Sequence, residues 1–397
     1  MPSNNTRLKV LFAGICSLVL LMAIARFSYT SLLPVMLEQT SLDHAWGGWL
    51  ATLNYIGYMA GALIAASISN LRLKDTLYRW GLILAILTTA GMGLADNIWL
   101  WTALRVISGL TSAAGLLLAS GLILNWLLRH GFRGELGIHF SGIGIGIALL
   151  SIVAEIYLLP LAWQDQWYWL GAAGLILIIP AWLWMPRPPK VMPLDHQKKL
   201  RDNPPGKQFI QILTVAYFCA GIGYVVSATF IVSIINDLPG LEGQGAWAFA
   251  LIGLGAAPAC ILWDYISRSI GHVGAMLIAY LIQVPSIILP ALIVTVPSAL
   301  ISAFLFGFSF LGIVCIVLTM GGLYYPSKPA KMMGKMTLSY GLAQIIGPAI
   351  IGYFATSYGS YDFGLYIAAG AMIFGSILII WLKLIEKKNF KAVLAEL

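Results

Sequence analysis

Twelve apolar runs leave this chain little choice of fold, because each has the roughly 20 residues that a bilayer-crossing helix needs. They fall at 10–36, 46–69, 77–95, 98–128, 136–161, 167–185, 208–235, 246–267, 273–294, 298–323, 334–357 and 361–383. None alternates with the period of two that marks a barrel strand, so the fold class is an all-α membrane protein. Composition agrees: 60% of the 397 residues are apolar and 10% charged, against about one half and one quarter in a soluble domain. A soluble enzyme and a disordered chain are both excluded by that much apolar surface.

The formal net charge of +8 could suggest nucleic acid, so the positions of the 23 Lys and Arg decide its meaning. With the N-terminus in the cytoplasm, 21 of them fall at one face: Arg7 and Lys9; Arg72, Lys74 and Arg79; Arg129 and Arg133; the cluster from Arg187 to Lys207; Arg268; Lys328, Lys331 and Lys335; and four from Lys383 onward. The opposite loops carry acids, such as Glu38, Asp43, Asp96, Asp165, Asp237, Glu242 and Asp362. This is the positive-inside rule, and it puts both termini in the cytoplasm and the chain in the inner (plasma) membrane. The basic excess marks topology, not a nucleic-acid partner. Arg7 and Lys9 ahead of an apolar stretch ending Ala23-Ile24-Ala25 resemble a signal peptide, but the run continues through Leu32, Leu33 and Met36 and reads as an uncleaved span. Tryptophans at 46–49, 99–101 and 163–169 read as interface anchors.

Residues 185–207 are polar and contain Pro186, Pro188, Pro189, Pro193, Pro204 and Pro205, which no helix continues through. They read as a cytoplasmic linker between 1–184 and 208–397, six spans on each side. Two six-helix bundles related by a pseudo-twofold are the mark of a transporter built from parallel repeats.

At this point the residues resemble the major facilitator superfamily. Arg105 and Gly109 match its Arg-x-x-x-Gly motif in span 4, and Asp264, Arg268 and Gly271 resemble its loop motif, here between spans 8 and 9. The corresponding 2–3 loop keeps Arg72 and Lys74 after Gly61 and lacks the acid. The stretch from Ala25 through Arg26, Phe27 and Tyr29 to Pro34 looks more narrowly like the YbfB/YjiJ-type branch. So do Gly142, Gly144 and Gly146, then Gly221, Gly223, Tyr224 and Phe230, and finally Gln344, Gly347 and Pro348. The resemblance implies that spans 1, 4, 7 and 10 line a central cavity, and that Asp264 and Arg268 belong to a gating loop.

Arg26 and Arg105 are the two cations left inside spans. An arginine at mid-helix costs about 2.5–3.5 kcal/mol on insertion scales, so each needs a reason. Counted at 1.5 Å per residue, they lie roughly 15 and 10 Å below the outer face, and Glu155 in span 5 roughly 9 Å below it. One reading has both guanidiniums forked onto an anionic substrate, which lysine could not match. The other has Glu155 neutralising Arg105 as an architectural pair. Glu155 is also the one acid deep enough to carry a proton. The second half offers Tyr224, Tyr340 and Gln344, and the first Tyr29, Asn54 and Tyr58, as an aromatic and hydrogen-bonding lining. Gly57 with Gly61 and Gly142 with Gly146 have small-xxx-small spacing for close packing, Gly144 reads as a bending point, and His139 as a solvated helix end.

No nucleophile–base group, metal-ligand spacing, phosphate loop or cofactor motif is present, and the four cysteines show no disulfide framework. The sequence therefore predicts a monomeric secondary transporter, not an enzyme, with no cofactor. Its expected partners are a small-to-medium organic anion, protons and the lipid bilayer. The alternative is proton-driven efflux of amphipathic drugs or metabolites.

Overall fold

The computed structural model describes residues 4–132, 136–188, 202–325 and 329–395. The middle of the predicted linker, with Lys190, Lys198, Lys199 and Arg201, lies outside them, as do Arg133 and Lys328. Among the described residues there are helices and connecting loops and no strands. In chain order the helices are α1 Asn4–Gln39, α2 His44–Ser67, α3 Leu71–Gly91, α4 98–129, α5 Leu136–Leu158 and α6 Trp163–Leu183. They continue as α7 Lys207–Asn236, α8 Gly245–Ile270, α9 His272–Leu292, α10 Val296–Tyr324, α11 Pro329–Tyr358 and α12 Asp362–Ala395.

The short polar connections set where helices begin. Asp43 accepts from the Trp46 amide, Asn70 from those of Arg72 and Leu73, and Asn97 from those of Trp99 and Leu100, each occupying an N-cap. Eleven of the described helices are long and apolar enough to cross a membrane. The exception, α3, starts at the Asn70 cap rather than at 77, and so takes in Arg72, Lys74, Asp75 and Arg79.

Two helix pairs join α1–α6 to α7–α12 by backbone-to-backbone contact. A Cβ on Gly144 of α5 would lie 2.2 Å from the Ala257 nitrogen of α8, and one on Gly253 of α8 would lie 2.3 Å from the Ala148 nitrogen of α5. Gly144 is therefore a packing glycine at this seam. In the second pair, Gly48 of α2 faces the Pro348 carbonyl of α11 and Gly352 of α11 faces the His44 carbonyl of α2. Gly57 and Gly61 play the expected part, seating α2 on α4 against the Val106 and Leu110 carbonyls.

Hydrogen bonds sew the same seam towards the end where α1 meets α2. The Thr30 hydroxyl of α1 donates to the Ala228 carbonyl of α7 (2.9 Å), and that of Thr52 in α2 to the Ile345 carbonyl of α11 (2.9 Å). Tyr55 and Thr229 share a hydroxyl contact at 3.3 Å, and His44 Nδ1 meets the Tyr361 hydroxyl at 2.8 Å. At this end the helices on the two sides of the seam are held together.

Three further expectations need correction. Trp46, Trp49, Trp99 and Trp169 are exposed as interface anchors should be, but Trp101, Trp163 and Trp167 are core. Trp101 packs edge-on against Trp163 and donates to the Met92 carbonyl (2.9 Å), so its polar edge is satisfied internally. Cys260 of α8 and Cys315 of α10 form a disulfide although 55 residues apart, because their helices pack side by side. His139 is fully buried, its Nε2 meeting the Ser120 hydroxyl at 3.0 Å, since α1 approaches it at Gly14 and leaves no path for solvent.

Candidate substrate-binding site

The site is built where α1, α2, α4 and α7 converge. Arg26 lies near the end of a π-helical segment of α1, Val19–Phe27, and α4 carries a second such segment, Ala114–Ala119, nine residues after Arg105. A π-turn inserts one residue into the ladder and so re-aims the side chains beyond it. A third segment, Ala154–Leu158, carries Glu155. All three lie in α1, α4 and α5 among the described residues.

Arg26 is 5% exposed, and its guanidinium sits over the rings of Tyr55 and Tyr58, 4.6 and 4.5 Å from their centroids. Those tyrosines are three residues apart on α2, so they share a face and form a two-ring bracket. Arg26 Nε is buried with no hydrogen-bond partner. Arg105 is 3% exposed, lies 4.3 Å over the Tyr29 ring, and its Nε donates to the Leu50 carbonyl at 3.4 Å. Tyr29 is fixed in turn by donating to the Gly47 carbonyl (2.9 Å). Asn54 holds the Arg105 backbone, donating to its carbonyl at 3.0 Å, and Ser108 one turn on donates to the Ala25 carbonyl beside Arg26. α1, α2 and α4 are thus tied together around the two cations.

Among the described residues no carboxylate pairs with either arginine. Glu155 is half-buried on α5, and neither an ion pair nor a hydrogen bond joins it to Arg105. The architectural-pair reading fails at this point. Glu155 lies towards the more exposed flank of α5, beside Ile156 and Tyr157.

Both guanidiniums line one cavity with Phe27, Tyr29, Thr30, Asn54, Tyr55 and Thr229, and the free space there is about that of one water molecule. Across it, α7, α10 and α11 supply rings. Tyr224 lies 5.1 Å from Phe310 and 5.6 Å from Tyr340, and Tyr340 lies 4.7 Å from Tyr217. Phe306 completes the stack, 5.3 Å from Phe310. Tyr224 is close enough to Arg26 to act on its charge. Gln344 is buried on α11 beside this wall.

Of the residues singled out from sequence, Arg26, Tyr29, Asn54, Tyr58 and Arg105 come together, and Tyr224 faces them with Tyr340 behind it. Glu155 does not join them, and Asp264 and Arg268 form an exposed ion pair at the far end of α8. Sequence reasoning missed Tyr55, Phe306 and Phe310. The spacing of three between Tyr55 and Tyr58, and of four between the phenylalanines, is the signal that could have found them. It also missed Asp75, which pairs with Arg79 at 3.1 Å while Arg79 donates to the Trp182 carbonyl at the end of α6 (2.7 Å). The spacing of four from acid to base on one helix was legible.

Residues 18–380 match the family model described as "Uncharacterised MFS-type transporter YbfB". An uncharacterised MFS-type transporter of Bacillus subtilis (strain 168), YceJ, is 23% identical over 250 residues, which are 62% of this chain and 63% of that protein. Among solved structures, the nucleoside transporter NupG superposes with a TM-score of 0.72 at 13% identity, covering 95% of this chain and 99% of that one. A bacterial homologue of the human lysosomal transporter Spinster, in an inward-facing and unoccupied conformation, does so at 0.66 and 17% identity, covering 96% of each chain. At those identities the likeness is one of fold.

Proposed function

Because the chain belongs to the YbfB-type family of major facilitator transporters, we propose that it carries a small-to-medium organic anion, with a carboxylate as the recognised group, by alternating access. In this reading residues 1–184 and 208–397 are two bundles of six spans that rock about the site, with α3 as the twelfth span and 185–207 as a cytoplasmic linker. Both termini are cytoplasmic, the membrane is the inner one, and the unit is a monomer.

The observation that carries the proposal is a pair of deeply buried guanidiniums at the seam with no carboxylate to neutralise them. A buried ion left unpaired costs several kcal/mol, a cost that a structural arginine avoids by pairing. The partner is therefore supplied from outside the chain. Arg26 and Arg105 bind the anion, Asn54, Tyr29 and Tyr58 hold them in place, and Tyr224, Tyr340 and Gln344 contact the rest of the substrate. Asp264 and Arg268 act as a loop latch. Transport is proton-coupled uptake with Glu155 as the carrier, which works from its own flank of α5 rather than through an ion pair to Arg105.

Thermal melting of the purified protein across a carboxylate panel tests the binding claim. Some members raise the melting temperature, and Arg26→Ala removes that shift while the protein stays folded. Stabilisation by cationic or neutral amphiphiles alone would sink it. Flux into proteoliposomes under a pH gradient tests the coupling: Glu155→Gln abolishes the pH response, and an unchanged response removes Glu155 from the role. The ring wall of Tyr217, Tyr224, Tyr340, Phe306 and Phe310 favours a second reading, efflux of amphipathic compounds. In that case Arg26→Gln leaves binding nearly intact.

A further inference from the structure

Resting on the anion reading above, we infer that the substrate is a dianion whose two charges are shared between Arg26 and Arg105. Both guanidiniums line the same cavity, so a ligand seated there meets both. Arg26 is near enough to Arg105 to oppose its charge. The charge that sequence position suggested would offset one of them, on Glu155, has no bond to either. The lining adds Thr30, Tyr55, Thr229 and Asn54, whose hydrogen bonds run to one another and to neighbouring backbone and which bring no negative charge. The cavity wall therefore carries two positive charges, and a monoanion would leave one of them buried and unbalanced.

The two arginines are also held differently, as two separate contacts require. Arg105 is anchored: its Nε reaches the Leu50 carbonyl, Asn54 fixes its backbone, and Tyr29 lies under its guanidinium. Arg26 is held between the rings of Tyr55 and Tyr58, with a side-chain hydrogen bond to Tyr55 and with Nε unpartnered. A ring face supports a guanidinium without using its N–H donors, so Nε of Arg26 stays available to an oxyanion. Arg105 thus fixes one acidic oxygen, and Arg26 adjusts to the second. Beside the site the rings of Tyr224, Phe306 and Phe310 pack on one another and offer an apolar surface to the rest of a ligand. The shared chemistry is a doubly charged head on a small apolar body, met by a dicarboxylate or a phosphate monoester.

The test pairs probes that differ in one charge: succinate with butyrate, phthalate with benzoate, and phenyl phosphate with benzenesulfonate. Each is titrated into the purified full chain near pH 8, with the thermal shift converted to an apparent affinity. At least one dianion binds wild type roughly tenfold or more tighter than its monoanionic partner. The pair that shows the gap distinguishes dicarboxylate from phosphate ester. In Arg105→Gln the gap closes and the monoanion still binds, whereas Arg105→Lys keeps part of it. For phenyl phosphate the preference also fades near pH 5, below its second ionisation near pH 6. Equal binding of each pair by wild type would overturn the dianion while leaving the anion reading in place. No shift with any probe would overturn both. The wild-type comparison decides even where the variant does not fold.

Discussion

The two sides of the central seam use opposite chemistry. On the side of α1, α2 and α4, two arginines are buried among tyrosines and tied by hydrogen bonds to neighbouring backbone. On the side of α7, α10 and α11, Tyr217, Tyr224, Tyr340, Phe306 and Phe310 form a wall of stacked and tilted rings with no charge in it. The first side is electrostatically unfinished: ring contacts return about 0.5–2 kcal/mol each, less than the several kcal/mol that a buried ion costs. The second is complete as packed. Recognition therefore resides with the charges, and the rings supply shape.

That division can be broken variant by variant. Tyr224→Ala removes a ring from the middle of the stack and should cost about 3–5 kcal/mol of stability, read as a large fall in melting temperature. Tyr224→Phe keeps the ring and should change stability by less than about 1.5 kcal/mol. If Tyr224→Ala melts like wild type, the wall is not a packed core. The ion pairs of the two halves make a second contrast. Asp75 and Arg79 are 14% and 8% exposed, and Asp75→Asn should cost about 3 kcal/mol by stranding Arg79. Asp264 and Arg268 are 47% and 64% exposed, so Asp264→Asn should stay within about 1 kcal/mol of wild type in the same melt. Equal losses at the two sites would show that burial does not set the value of these pairs.

The all-helical class of the fold was legible in the sequence, and the direction of a side chain around its helix was not. Run length found the helices, eleven of which among the described residues are long and apolar enough to cross a membrane, because hydropathy changes along the membrane normal. Rotation is a different matter. Lipid-facing and protein-facing positions are both apolar, so a membrane helix carries little amphipathic signal to say which face is buried. Glu155 illustrates the gap, since no ion pair or hydrogen bond joins it to Arg105. Trp101 and Trp163 do too, reading as interface anchors and lying instead in the core. The contact of Gly144 with α8, the burial of His139 and the Cys260–Cys315 bond all depend on which helices are neighbours, and no local pattern encodes that. Arg26 and Arg105 stood out because a charge is conspicuous in an apolar run whichever way it points.

Titration of a stabilising anion into wild type, Arg26→Gln and Tyr224→Phe by calorimetry tests most directly whether recognition lies with the charged side. Arg26→Gln should lose roughly 2–5 kcal/mol of binding, the cost of truncating one partner of a buried charge pair. Without ligand it should melt no lower than wild type, since an unpaired buried charge has been removed. Tyr224→Phe should bind within about tenfold, or 1.4 kcal/mol, of wild type. An Arg26→Gln protein that binds as tightly as wild type, with Tyr224→Phe the weaker binder, would contradict the account.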